Sequence, residues 1–442
     1  MKDIQDLTAL LEFVSCAVVL LSLGGCVPLE QSTSSTASSN TQQKKLLFED
    51  FRYEENIKTD LLYPNRGFRQ DVIEPAVIPL SGETQLILEF DELQADYQDY
   101  SVKLFHCNVD WTKSTVPDME FTEDFNEFPI RTFDYSRNTL TPYTHYTFEV
   151  PKVKLPGNYL LMVFRGRNYD DIVLTRRFIV FDQRVRIKPD LNVMTGAVGS
   201  FQNHQIEFEI EYNGLRLTNP YNDISVVVRQ NQRWDNSIKE LKPTQVKEDK
   251  ALLQYRHFTR ENTFVSMNEF RFIDLRSTTF RGQNVASIDK SADFIKVTAG
   301  IDKSRQNLVY SQYNDINGQF VVENNDPGAQ YLEEDYINVS FWLDHPNIQP
   351  SIYILGGFNN WRKNPSSVMH FNSDRQMYST TMTLKQGFYN YLYFVSEGEP
   401  NPYLLEGAFF EAKNEYDITV YYRPPGTFAD LAIGYANFNS RK

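Results

Sequence analysis

Histidine and cysteine are scarce in this chain, with six and three among 442 residues. The cysteines are Cys16, Cys26 and Cys107, too few for a disulfide framework or a cysteine-rich metal site. Neither a metal nor a cofactor is expected. Basic residues are outnumbered, 44 against 58 acidic, giving a formal charge of −14. That balance lacks the electrostatic footprint on which nucleic-acid binders depend. There is no serine nucleophile elbow, no glycine-rich phosphate loop and no His-Glu-x-x-His pair. No stretch sustains a 3.6-residue apolar period for three turns, and no apolar run reaches the roughly 20 residues of a spanning helix. What the chain does have is aromatic residues, at 14%, carried by 32 Phe and 26 Tyr. Aromatic side chains suit pleated, half-buried surfaces, so the expected fold is all-β.

The N-terminus reads as an address. Phe13 to Gly25 is about as long as a signal h-region and ends Leu23-Gly24-Gly25-Cys26, which resembles a bacterial lipobox. The charge before it is unusual, Lys2 against Asp3, Asp6 and Glu12, as a true start further along the chain would explain. Residues 1–25 are expected to be a signal peptide and Cys26 the lipid attachment site. Residues 26–45, rich in Ser, Thr and Gln, have little to bury and read as a disordered tether. Some 18 residues of such linker reach roughly 25 Å. Removing the signal leaves the chain strongly acidic, so membrane attachment would come from the lipid.

Beyond the tether, strand follows strand. His204 to Gly214 alternates, with Ile206, Phe208, Ile210 and Tyr212 inward and Glu207, Glu209 and Glu211 outward; Asn213-Gly214 then predicts a hairpin into Leu215-Arg216-Leu217. Tyr159 to Phe164 is apolar on both faces and reads as a central strand. Turn formers punctuate the chain into three consecutive immunoglobulin-like or early-set β-sandwiches, at 46–182, 183–330 and 331–423, followed by a tail at 424–442.

Few side chains suggest chemistry. His106, Cys107 and Asp110 lie close together, but strand alternation puts Cys107 with Phe105, Val109 and Trp111 on one face and His106 with Asn108 and Asp110 on the other. The thiol then points away from its would-be base, and Cys107 reads as a buried structural residue. His145, among Tyr143, Thr144 and Tyr146, has nothing at ligand spacing and reads as packed or interfacial. Glu269, Arg271, Asp274 and Arg276, interleaved with Phe270 and Phe272, form either a solvated ion-pair ladder or a candidate interface patch, since arginine and aromatics are enriched at hot spots. No enzymatic activity is expected, although 58 acids always leave room for accidental carboxylate pairs.

Gly356-Gly357-Phe358-Asn359-Asn360-Trp361, then Met377-Tyr378, then Leu384 to Tyr391 resembles the early-set carbohydrate-binding sandwiches of glycogen-binding regulators and branching enzymes. That resemblance implies a stacking face for sugar rings built from Trp361 and Tyr378. Tyr378 departs from it, standing where a tryptophan is usual.

A wider resemblance covers about residues 45–435. Leu88 to Leu93, His106 to Trp111 with Ser114, Tyr143 to Tyr146, Pro156 to Leu161, Leu174 to Phe178, Asn268 to Arg276, Gly357 to Trp361 and Glu406 to Phe410 occur in the order seen in the type 9 secretion system plug-protein family. The resemblance implies a non-enzymatic subunit that binds the periplasmic mouth of a large outer-membrane β-barrel translocon and closes it. With the lipobox, it implies an outer-membrane lipoprotein facing the periplasm. The alternative is a lipid-anchored carbohydrate-binding protein using the C-terminal sandwich.

Overall fold

The structure is a computed structural model; it describes residues 44–192, 203–291, 293–396, 401–427 and 429–440. Cys26, the signal and most of the tether lie outside the described residues. The fold is all-β, with three pairs of sheets packed face to face.

In the first sandwich one sheet runs in the order Phe51–Arg52, Ile172–Phe181, Gly157–Arg165, Tyr100–Cys107 and Phe128–Pro129, with Val77–Pro79 parallel to Ile172–Phe181. The facing sheet is Ile57–Asn65, Gln85–Glu92, Thr144–Glu149 and Thr132–Tyr135. Alternation sends Leu86, Leu88 and Phe90 inward to meet Val102, Leu104, Tyr159, Leu161 and Val163. The other face of Gly157–Arg165 carries Leu160, Met162 and Phe164, covered by Leu46, Phe48, Trp111 and Trp234. That is why Tyr159 to Phe164 is apolar on both sides: one face is sandwich core, the other a joint with neighbouring segments.

In the second sandwich, one sheet is Arg186–Asn192, Asn203–Glu211, Leu252–Tyr255 and Gln245–Lys247, with Thr263–Val265 beside Asn203–Glu211. Ile206, Phe208 and Ile210 point into the core, as their alternation predicts. Asn213-Gly214 does turn, with Gly214 at φ +83° and Leu215 N donating to Tyr212 O. No hairpin follows, however, because Leu215 to Leu217 forms no strand. The chain instead crosses to Ile224–Gln230 in the opposite sheet, where Ile224, Val226 and Val228 cover the face that Ile206, Phe208 and Ile210 present.

The strand pairings depart from the expected linear boundaries. Ile224–Gln230 pairs with Glu415–Tyr422, which pairs with Leu431–Asn439, so residues expected in the third body and the tail complete the second sandwich. The third sandwich begins well before residue 331. Arg271–Asp274 and Phe320–Val322 pair with Gly387–Val395, as does Ile352–Leu355. Its other sheet is Val285–Lys290, Ile295–Lys303, Tyr336–Asp344, Met377–Lys385 and His370–Asn372. The third sandwich is therefore an insertion within the second. Its two connections meet where Asn414 Nδ2 donates to Ser266 O (2.7 Å) and Asn231 Nδ2 donates to Asn414 Oδ1 (2.8 Å). Turn formers at 324–328 mark a loop inside the third sandwich, and local turn chemistry cannot say which sheet the next strand joins.

Candidate functional site

The three sandwiches converge on a cavity of about 430 Å³ lined by Asp50, Asp60, Arg176, Arg177, Arg229 and Trp361, among others. Arg177 grips Asp50 through its backbone N (2.8 Å), Nε (2.9 Å) and Nη2 (2.8 Å). Burial alone would raise the Asp50 pKa, but Arg177 and Arg176 outweigh it and hold the carboxyl below its usual range. Arg176 Nη1 reaches Asp60 (3.2 Å), and Arg362 pairs with Glu49 (2.8 Å). Two of the four tryptophans, Trp234 and Trp361, line it and lie under guanidinium groups. Arg229 sits 4.2 Å and Arg177 4.8 Å from the Trp234 ring centre, and Arg233 lies 4.4 Å from that of Trp361. These cationic groups face carboxylates and aromatic rings, an arrangement suited to locking bodies together; no nucleophile in it is aligned with a base.

A second joint binds the first and third sandwiches. Asp91, fully buried, accepts from His145 Nδ1 (2.7 Å), Lys385 Nζ (2.7 Å) and the Tyr336 hydroxyl (2.6 Å). Burial pushes the Asp91 pKa up, but Lys385 and His145 more than offset this and hold it low. His145 is thus an interfacial histidine serving a structural carboxylate. Nearby, Asp335 of the third sandwich accepts from the backbone N of Leu140 (2.6 Å) and Thr141 (3.0 Å).

The expected sugar face is not assembled. Trp361 is 9% exposed, wedged among Phe270, Leu355, Leu392 and Tyr403 beneath Arg233. Tyr378 is 4% exposed in the separate core of the third sandwich, its hydroxyl accepting from Ile348 N (2.8 Å). The two rings share no open surface, because Trp361 packs in one buried cluster and Tyr378 in another. Among the four residues of the expected patch, Glu269 and Arg271 are buried and only Asp274 and Arg276 are partly exposed. Arg271 donates through Nε to both Glu406 oxygens (3.0 Å each) and through Nη1 to Asp302 (2.9 Å). Arg276 holds Asp274 (2.8 Å) and Glu323 (3.2 Å). Burial raises the Glu406 pKa less than Arg271 and Arg305 lower it, so this carboxylate stays ionised inside the body.

Cys107 is buried in the Phe105–Trp111 cluster, and burial pushes its thiol up to about 12. His106 lies on the opposite face, its Nδ1 2.9 Å from Ser114 Oγ. Among the described residues no group of three His, Cys, Asp or Glu is placed to hold a metal ion.

The feature that sequence reading passed over is Asp118 to Phe125. There Met119 is 85% and Phe125 78% exposed beside Glu120, Glu123 and Asp124. Its signal was visible: two large apolar residues set among carboxylates, in a segment whose Phe121 and Asn126 anchor it.

Comparison with known proteins bears on the first sandwich directly. Residues 57–182 match the family described as type 9 secretion system plug protein 1st domain. The whole fold is similar to the crystal structure of a hypothetical protein from Parabacteroides merdae ATCC 43184, with a TM-score of 0.83 and 28% identity over 89% of this chain and 100% of that one. No curated protein matches the chain.

Proposed function

With its first sandwich matching the type 9 secretion system plug protein 1st domain, we propose that the chain is a non-enzymatic gating subunit that binds and seals the periplasmic end of the outer-membrane translocon. The match over residues 57–182 carries this reading. The architecture suits it. A seal needs a stiff body wider than one sandwich, and here the third sandwich is inserted in the second and clamped to the first through Asp91–Lys385. Buried ion pairs and cation–π stacks hold the joints, and breaking one partner of a buried pair is strongly destabilising. In this reading Cys26 carries the lipid and the tether keeps the released body near the pore at high effective concentration. The protein faces the periplasm from the outer membrane, and its acidic charge keeps the detached form soluble.

The test is co-purification. A C-terminally tagged protein is recovered from gently solubilised membranes and its partners are identified by mass spectrometry. A very large outer-membrane β-barrel in stoichiometric yield supports the plug reading; recovery of the protein alone, or with polysaccharide, overturns it.

A further inference from the structure

We propose that the crest formed by residues 118–125 of the first sandwich is a docking surface for a basic, apolar-pocketed surface of a partner protein. This rests on the plug reading, in which that partner is the periplasmic rim of the translocon.

Met119 and Phe125 are among the most exposed large apolar side chains of the described residues, at 85% and 78%. Solvent-exposed apolar side chains of this size are unremarkable singly; here two of them project from one short segment. The segment is held firmly beneath them. Phe121 is 1% exposed in the core of the first sandwich. The Asn126 side chain is clamped between Leu104 N (3.0 Å) and Leu104 O (2.8 Å), in the manner of an added strand. Lys154 N donates to Phe121 O (2.9 Å), and Thr122 N to Asp118 O (2.9 Å). Apolar anchors already fixed in place lose little conformational entropy on binding, as interface hot spots require.

Charge chooses the partner. Glu120, Glu123 and Asp124 are exposed around the two anchors, and none of the three has an ion-pair partner among the described residues. The neighbouring lysines are taken by other groups of the segment: Lys103 by Asp118 (3.3 Å) and Lys154 by Met119 O (2.7 Å). A surface of unpaired carboxylates around an apolar pair complements lysines or arginines around a hollow. It disfavours a second copy of this chain, whose net charge is −14.

The experiment uses tagged full-length protein in membranes that contain the barrel. M119S/F125S and, separately, the charge reversal E120K/E123K/D124K are compared with wild type for barrel recovered per molecule of bait. Thermal melting of each purified variant establishes that it folds. F258S, which removes a fully exposed phenylalanine of the second sandwich, is the control for generic stickiness. We expect both crest variants to lose at least tenfold in recovery while F258S retains it, and wild-type recovery to fall as salt is raised. Equal recovery by wild type and folded crest variants overturns the docking assignment while leaving the plug reading in place. Failure of wild type itself to recover the barrel overturns the plug reading instead. A crest variant that changes the protein's own oligomeric state at unchanged barrel recovery would assign the crest to self-association, against this proposal.

Discussion

Replacing Asp91 by asparagine keeps the shape of the joint between the first and third sandwiches and removes the carboxylate bound to Lys385. Lys385 is 3% exposed and bound to Asp91 at 2.7 Å, so in the variant its ammonium is buried without a counter-charge. Breaking one side of a buried pair costs about 3–5 kcal/mol. His145 and Tyr336 also lose an ionised acceptor. The destabilisation should appear as a drop in Tm of about 5 °C, read by calorimetry or far-ultraviolet circular dichroism. The decisive comparison is D91N/K385M. Removing both members of the pair leaves no buried ammonium without its partner, and the double variant should be more stable than D91N by about 2 kcal/mol or more. If D91N melts within about 1 °C of wild type, or if the double variant is as unstable as the sum of the singles, the charge pairing does not hold the bodies together and the stiff body that a seal needs is not clamped here.

Other expectations follow from the same contacts. Asp50, Asp91 and Glu406 have lowered pKa values in the folded protein; the stability they contribute is present above their unfolded pKa, about 4, and is lost as pH falls through their folded values, so acid melting should set in below about pH 4. Asp315 behaves oppositely: burial, aided by Glu269, pushes it up to about 6 against the backbone hydrogen bonds and Lys413, so stability is lost as pH rises from about 4 to about 6, and D315N should flatten that part of a Tm-versus-pH curve. Gly318 sits at φ +81°, and an added Cβ would lie 2.4 Å from the Trp361 ring, so G318A should lower stability by about 2 kcal/mol or more in a urea titration. Cys107, with its thiol pushed up to about 12, should resist iodoacetamide at pH 8 in the folded protein and react after unfolding; rapid native labelling would contradict its buried placement.

Much of the fold was legible because strand alternation is a local signal. Ile206, Phe208 and Ile210 face the core as written, and the doubly apolar Tyr159 to Phe164 is a central strand. Connectivity was not legible. Glu415–Tyr422 looks like a closing strand of whichever sandwich precedes it, yet it pairs with Ile224–Gln230 nearly 190 residues earlier, a choice made by matching cores and not by local turns. Sites failed for a related reason. A tryptophan after two glycines fits a sugar platform or an interdomain wedge equally well; only Arg233, distant in sequence, decides for the wedge. Arg271 among aromatics fits a hot spot until Glu406 closes over it. Sequence patterns report which face a residue takes, while its neighbours from remote segments determine whether that face meets water.

The most direct test of the proposed role is whether this protein seals anything. Uptake of a large fluorescent solute across the outer membrane would be measured in cells lacking the chain, in cells lacking both the chain and its translocon barrel, and in wild type. We expect the single deletion to leak and the double deletion to be as tight as wild type, because the hole belongs to the barrel. A single deletion that stays tight, or a leak that persists without the barrel, would contradict the sealing role.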